Sequence, residues 1–210
     1  ALMRIAPILI PHLRTGTSAL WADAAVAATL THKQAASTSA CVAWVSILWS
    51  LLGMARPPEP RWWIDAYVSV ARQLEGDRVL HLRGGDYHGF SGPAWRFVEE
   101  HVWAAYERGL STLDAANGWF SAAFVLETVS CALYILMRHG DDPEEALVRA
   151  ANDTKDSDTV AAIVGAAIGG LHGTALLPRR WVDGLTGRTG AHDDGCIFGL
   201  LSDARRVFFT

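Results

Sequence analysis

The sequence predicts an all-α protein, because helical patterns recur along the chain while strand patterns are scarce. Half of its 210 residues are hydrophobic and 19% are charged, which suits a chain with a sizeable buried core. Apolar residues recur at intervals of three and four, as in helices with one buried face. No alternation of apolar and polar residues is long enough to indicate a strand. We expect one all-α domain over residues 1–210, built as a bundle of helices.

The N-terminal half contains four predicted helices, over residues 19–32, 38–54, 61–73 and 92–107. The second is nearly all apolar, so we expect it in the middle of the fold. The sequence RPPEP (residues 56–60) should end that helix, because prolines lack a backbone donor and exclude the α conformation before them. RGGDYHGFSG (residues 83–92) is expected to form a Gly-rich loop before the fourth helix.

The C-terminal half begins with a long predicted helix over residues 120–139, whose basic last turn is followed by Gly140 as a C′ residue. The next helix should start in DDPEEALVRA, with Pro143 at its first position. An uncharged segment over residues 160–177 has the minimum length for a membrane span. Ala and Gly dominate it, so we interpret it as a buried helix and expect no membrane partner. LPRRWVDGLTGRT, an acidic surface loop AHDDG and a final amphipathic segment follow.

Charge and cysteine content exclude several classes of protein. The net charge is −4, whereas nucleic-acid-binding proteins carry clustered Lys and Arg, so no nucleic-acid partner is expected. Cys41, Cys131 and Cys196 are odd in number and far apart, which argues against a disulfide framework or a zinc site. A reducing, cytoplasmic location is the simplest expectation. The chain starts inside apolar sequence at Ala1, so we expect a further N-terminal segment to precede it.

Asp153, Asp156 and Asp158 lie within six residues of one another, immediately before the smallest-residue helix of the chain. One interpretation is helix-end chemistry, with Asp158 as the N-cap and the other acids facing the positive end of the helix. A calcium loop of the EF-hand type is excluded, since the required glycine position holds Asp158. The remaining interpretation is a Mg²⁺ or Mn²⁺ site made by Asp156, Asp158 and the Thr159 hydroxyl. The residues alone leave the first and the last open.

The segment NDTKDSDTVAAIVGAAIGGLHG, a D-x-D-T turn followed by a helix of small residues, resembles a signature of the ADP-ribosylglycohydrolase family, the relatives of dinitrogenase reductase-activating glycohydrolase. Four other segments resemble that family in the same order: ALMRIAP, LTHKQAAS, FVLETVSCALYIL and LPRRWVDGLTGR. The resemblance extends over nearly the whole chain and is weakest in the Trp-rich middle.

The resemblance implies an orthogonal all-α bundle that holds two Mg²⁺ or Mn²⁺ ions. It also implies a hydrolase that cleaves the glycosidic bond between ADP-ribose and a protein side chain or small acceptor. By position, Asp156 and Asp158 would be catalytic residues and metal ligands, with Thr159 as a third ligand. His32 and the first residues, including Ala1 and Met3, would contact the ADP-ribose. Glycines at 165, 169 and 170 would let neighbouring helices approach closely.

The chain departs from the family pattern because it has no Thr-Asp-Asp-Thr stretch, the family's other half of the metal site. We therefore expect residues 1–210 to be the C-terminal two-thirds of a domain. The alternative is a non-catalytic, truncated or degenerate member that binds metal or ADP-ribose weakly. Lys155 replaces a glycine found in many members, and we hypothesise that it neutralises Asp153 or reaches the diphosphate.

Three further residues have both a functional and a structural interpretation. Glu127, among apolar neighbours, could act in acid–base chemistry, but an ion pair or helix-cap acceptor is favoured. His172 is expected to be a core histidine with a satisfied ring. Trp181 is a candidate to flank an adenine, although the nine tryptophans are mainly expected in the core.

Overall fold

A computed structural model describes residues 1–188 and 195–209 of the chain. Within those ranges the chain forms eleven α-helices, and its one sheet pairs two strands of two residues each. The predicted all-α class is confirmed. The α-helices are α1 (Ala19–Thr29), α2 (Ala35–Leu51), α3 (Pro60–Glu75), α4 (Ala94–Phe97), α5 (Trp103–Glu107), α6 (Thr112–Gly118), α7 (Val125–His139), α8 (Pro143–Asn152), α9 (Ser157–His172), α10 (Arg179–Val182) and α11 (Cys196–Phe209). The antiparallel strands are β1 (Leu80–His81) and β2 (Ser91–Gly92), and 3₁₀ turns occupy Leu2–Arg4, Ala6–His12 and Thr174–Leu176.

Helix α2 lies in the middle of the fold, as its apolar sequence predicts. It packs against α1, α3, α7 and α9, and both Trp44 and Ile47 on it are 1% exposed. Helix α7 is the second central element, buried from Leu126 to Met137. Both helices are buried along most of their length, so they form the core around which the others pack.

Proline and glycine mark the ends of α3, which was predicted over residues 61–73 and spans Pro60–Glu75. Pro60 occupies its first turn, where a missing N–H removes no hydrogen bond, and Glu59 before it is extended. Gly76 ends the helix with a φ of 63°, a left-handed conformation that glycine adopts without steric cost. The helix buries one face, which includes Trp63 and Tyr67.

The predicted helix over residues 92–107 is continuous but irregular. Helix α4 leads through a π-helical turn, Val98–Val102, into α5. Its start depends on Glu75, a carboxylate only 2% exposed that accepts a hydrogen bond of 2.8 Å from the Ala94 amide. Burial raises the pKa of Glu75, although the hydrogen bonds from the backbone counteract that rise. A buried acid from α3 therefore caps α4.

The helix predicted over residues 120–139 begins five residues late, and this prediction was wrong at its start. Phe120 and Ser121 have φ values of 72° and 40°, which a right-handed helix cannot contain. The sequence analysis also missed α6, which Ser111 caps by accepting from the Asp114 amide at 3.1 Å. At the other end, Gly140 has a φ of −63°, so it is not a left-handed C′ residue. A Cβ there would lie 2.5 Å from the Leu136 carbonyl oxygen.

Helix α8 begins at Pro143 as predicted, with Asp142 accepting from the Glu145 amide at 3.0 Å. Helix α9 begins at Ser157, so Asp156 rather than Asp158 occupies the N-cap position. The close approach expected at the glycines of α9 was wrong. A Cβ on Gly169 would meet nothing within 4 Å, and those on Gly165 and Gly170 would make ordinary contacts with leucine side chains.

The C-terminal part adds α10 and α11 to the surface, and no residue of either helix is buried. The acidic loop predicted at residues 191–195 lies outside the described residues except for Gly195. Across the described ranges, no helix combines the length and the apolar character needed to cross a membrane.

Candidate functional site

A cavity of about 630 Å³ brings together five segments that are far apart in the sequence. It is lined by residues 1–3, by residues 31–34 between α1 and α2, by Ser37 on α2, by Arg83, by residues 123–125 with Thr128, and by Asp156 and Thr159. Of the predicted site residues, Ala1, Met3, His32, Asp156 and Thr159 therefore line one cavity. Asp158 does not line it and is exposed.

The carboxylate of Asp156 reaches the cavity from the residue before α9. Burial raises the pKa of this carboxyl, a hydrogen bond from Thr159 lowers it, and the neighbouring Asp158 carboxyl raises it again. Two acids in contact repel each other when both are ionised. The turn therefore concentrates negative charge beside the cavity.

The polypeptide around Asp156 is held by contacts from α6 and from the segment before α7. The Asp156 amide donates to the Ser121 carbonyl oxygen at 3.1 Å, and the Lys155 amide donates to Ser121 Oγ at 3.2 Å. Asp153 is 8% exposed and accepts a hydrogen bond from the Thr112 hydroxyl. These contacts fix both ends of the turn on buried partners.

Lys155 does not neutralise Asp153, and that part of the hypothesis was wrong. Arg149, one turn earlier on α8, places Nη1 3.3 Å from Asp153 Oδ1. Lys155 instead places its Nζ 3.9 Å from the centre of the Phe120 ring, a favourable cation–π arrangement. Helical spacing explains why Arg149 rather than Lys155 pairs with Asp153, because residues 149 and 153 lie on the same face of a helix.

His32 lies at the rim of the cavity between α1 and α2. Its Nδ1 is 2.8 Å from Thr31 Oγ1 and 3.4 Å from the Ala1 nitrogen. Arg4 donates to Thr31 Oγ1 at 2.7 Å, which ties residues 1–4 to this segment. Loss of water contact lowers the pKa of His32, and the charge of Arg4 also lowers it. Both effects favour the neutral ring, which can donate or accept a hydrogen bond at the cavity.

Met3 and Thr159 contact each other across the cavity, since the Thr159 hydroxyl lies 3.4 Å from the Met3 sulfur. This contact joins the start of the chain to the first turn of α9. It also gives the Thr159 hydroxyl two partners in the cavity, the Met3 thioether and the Asp156 carboxylate.

Arg83 is a cavity residue that the sequence analysis missed. Its guanidinium carbon lies 4.9 Å from the Phe124 ring centre, and its Nε lies 3.7 Å from Glu127 Oε1. Glu127 is fully buried, and its other oxygen accepts from the Ala122 amide at 2.9 Å. Glu127 thus acts as an ion-pair partner and backbone acceptor, the interpretation favoured from sequence. The sequence feature that could have indicated Arg83 is its position directly before two glycines in the Gly-rich loop.

The turn before α9 carries oxygen donors that suit a hard divalent cation. Asp156, Asp158 and Thr159 offer two carboxylates and a hydroxyl, the oxygen donors that Mg²⁺ and Mn²⁺ prefer, with water completing the shell. Within residues 1–188 and 195–209, no three His, Cys, Asp or Glu side chains cluster as a metal site.

The remaining candidates lie away from this cavity. His172 places its Nε2 2.7 Å from the Gly140 carbonyl oxygen, so its ring is satisfied as expected. Trp181 is packed beneath Arg180, 5.0 Å from its guanidinium carbon, and does not line the cavity.

Comparison with known proteins gives two matches. A family model described as ADP-ribosylglycohydrolase matches residues 1–207. The ADP-ribosylarginine hydrolase Tri1 of Pseudomonas putida (strain GB-1) is 28% identical to this chain over 121 residues. That alignment covers 57% of this chain and 32% of the Pseudomonas protein, so the match spans about a third of that protein's length.

Proposed function

This chain belongs to the ADP-ribosylglycohydrolase family, and we propose that it acts in hydrolysing the bond between ADP-ribose and a modified protein side chain or small acceptor. One observation carries the proposal: a single cavity joins the Asp156–Thr159 turn to His32 and Arg83. Its volume of about 630 Å³ is typical of a pocket for a small ligand.

The cationic side chains on the cavity wall support a diphosphate ligand. Arg83 is half-exposed and is held by contacts with Glu127 and Phe124, and Lys33 lines the cavity from the segment between α1 and α2. Arginine in a fixed orientation suits phosphate oxygens because its donors form a planar fork. In this proposal Arg83 and Lys33 contact the diphosphate, while neutral His32 donates or accepts a hydrogen bond at a ribose or phosphate oxygen.

Asp156, Asp158 and Thr159 would hold a Mg²⁺ or Mn²⁺ ion, as their oxygen donors support. When bound, such an ion lowers the pKa of a coordinated water and stabilises developing charge. The chain's own residues would position the ion: Ser121 holds the Asp156 backbone, and Asp156 brings a carboxylate to the cavity. Because Asp158 is exposed, its side chain would have to turn inward to share the ion.

We propose arginine as the acceptor class. The similar Pseudomonas protein is named an ADP-ribosylarginine hydrolase, which supports cleavage of the N-glycosidic bond to a guanidinium. We also propose a reducing, cytoplasmic setting, which the odd number and wide spacing of the three cysteines support.

The test measures binding and cleavage separately. Calorimetric titration of the chain with ADP-ribose, with and without Mn²⁺, should show binding that the ion strengthens. Chromatography should detect ADP-ribose released from ADP-ribosylarginine in the presence of Mn²⁺. ADP-ribose binding without release would favour the alternative, a non-catalytic member that binds metal or ADP-ribose weakly. If ADP-ribose did not bind under any condition, both forms of the proposal would be wrong.

A further inference from the structure

A second, smaller cavity of about 320 Å³ lies beside the first. It is formed by one face of α1, the start of α2, the end of α3 and Arg78. We call it the basic groove and define it by Trp21, Lys33, Leu74 and Arg78. Lys33 lines both cavities, so the two cavities are neighbours on either side of this residue.

The groove contains two cations without carboxylate partners. Lys33 and Arg78 are exposed, and neither belongs to any ion pair of the described residues. Some arginines are paired with carboxylates: Arg72, close to the groove on α3, lies 2.7 Å from Glu99. The chain carries a net charge of −4, so a cavity lined by two unpaired cations is a locally positive site on a chain of net negative charge.

The walls of the groove suit a side chain rather than a bulk counter-ion. Trp21 is half-buried and Leu74 is 50% exposed, so the lining of the groove includes apolar surface as well as the two charges. Apolar surface beside a cation lets a ligand bury its methylene groups while its charge is met. Asp77, the neighbour of Arg78 in the sequence, does not line the groove.

We propose that the basic groove binds acidic side chains of the acceptor protein next to its ADP-ribosylated residue. The proposal rests on the proposed function, since it assumes that the modified side chain enters the larger cavity. The acceptor's flanking chain then crosses Lys33 and reaches Arg78. The groove thereby selects modified sites within acidic sequence, while the larger cavity binds the ADP-ribose itself.

The test compares two arginine-ADP-ribosylated peptides that differ only in flanking Asp or Asn residues. For the chain without substitutions, kcat/KM should be about five- to tenfold higher for the acidic peptide than for the Asn peptide. This difference should fall as the salt concentration rises. Arg78→Glu should abolish or reverse that preference while leaving hydrolysis of ADP-ribosylarginine itself unchanged. Arg56→Glu reverses the same charge at an exposed position outside the groove and should keep the preference.

Binding keeps the proposal testable if the chain hydrolyses nothing. The anisotropy of a fluorescent, unmodified acidic peptide should then still report tighter binding than its Asn counterpart, and Arg78→Glu should remove the difference. Equal binding and equal kcat/KM for the two peptides would overturn the groove proposal without touching the proposed function. Tighter binding of a single-stranded oligonucleotide of equal charge would also overturn it. Circular dichroism of Arg78→Glu confirms that the variant is folded.

Discussion

Ser121 makes two hydrogen bonds to the turn that presents Asp156: its carbonyl oxygen accepts from the Asp156 amide at 3.1 Å, and its Oγ accepts from the Lys155 amide at 3.2 Å. Ser121 is 1% exposed and has a φ of 40°. Backbone conformations of this kind persist where the surrounding contacts over-determine them. The segment before α7 and the turn before α9 therefore form one connected unit at the wall of the cavity.

Ser121→Ala should loosen this unit. The substitution leaves the Lys155 amide without its acceptor, which should lower the free energy of unfolding by about 1–2 kcal/mol. It should also weaken Mn²⁺ or ADP-ribose binding several-fold. Urea denaturation and calorimetry measure the two effects. Ser69→Ala is the matched control, because the Ser69 hydroxyl only donates within α3 and its loss should change neither. Unchanged binding in Ser121→Ala would show that the unit does not position Asp156.

Asp156→Asn should not destabilise the metal-free protein at pH 7. Burial raises the pKa of this carboxyl above the ordinary value of 3.8, so the folded state favours the protonated form. Protonation of Asp156 therefore stabilises the folded state. This stabilisation is complete at pH values below 3.8 and is lost as the pH rises through the pKa of the folded state. Asn carries no charge, so the substitution removes the cost in stability of the ionised carboxylate. The melting temperature of Asp156→Asn at pH 7 should equal or exceed that of the unsubstituted chain. The rise in melting temperature on acidification should be smaller in the variant.

The same variant tests the cation site. Mn²⁺ should raise the melting temperature of the unmodified chain and leave that of Asp156→Asn unchanged. Asp65→Asn, on an exposed pair with Arg61, is the control and should keep the ion-dependent rise. An equal rise in Asp156→Asn would place the ion elsewhere.

Two substitutions of Glu75 should separate the effect of its charge on stability from the effect of its hydrogen bond. Glu75→Gln keeps an oxygen to accept from the Ala94 amide while removing a buried charge. Because burial raises the pKa of Glu75 above 4.5, the ionised form costs stability at pH 7, so Glu75→Gln should be neutral or stabilising. Glu75→Ala removes the acceptor and should cost about 1–3 kcal/mol. Thermal unfolding at pH 7 gives both values, and a Gln variant as unstable as the Ala variant would contradict this account.

Arg83→Met should weaken ADP-ribose binding about tenfold if the guanidinium contacts the diphosphate. It should also lower stability, because the fully buried Glu127 loses its only cation among the described contacts, at 3.7 Å. The double variant Arg83→Met with Glu127→Gln should recover stability but not binding. Calorimetric affinity and urea denaturation distinguish the two. Recovery of binding in the double variant would mean that Arg83 acts only by supporting the fold.

The elements that could be predicted from sequence are those whose signal is local. Helix α2 follows from a continuous apolar run, and α3 and α8 follow from proline at their first turn. The segment 120–124 could not be predicted, because the left-handed conformation falls on Phe120 and Ser121 rather than on glycine. It is stabilised by contacts with Lys155 and Asp156 that no local pattern reveals.

The candidate site divides in the same way. Asp156, Thr159 and His32 were identified through the D-x-D-T and Thr-His segments, and the fold places them in one cavity. Arg83 could not be assigned to it from sequence, because its position depends on Phe124 and Glu127, some forty residues away. The outward exposure of Asp158 was equally invisible, since it depends on which residue of the turn becomes the N-cap.

The loop that carries Arg83 is rich in glycine but is held in place by contacts between backbone atoms. Gly85 has a φ of 75°, and a Cβ there would lie 2.2 Å from the Gly118 carbonyl oxygen, which accepts a hydrogen bond from the Asp86 amide at 2.8 Å. Two stretches of backbone are thus in direct contact, and a side chain would separate them. In hydrogen-exchange terms, the Asp86 amide should exchange slowly although it sits in the most glycine-rich loop of the N-terminal half. The arginine is then presented on a fixed support.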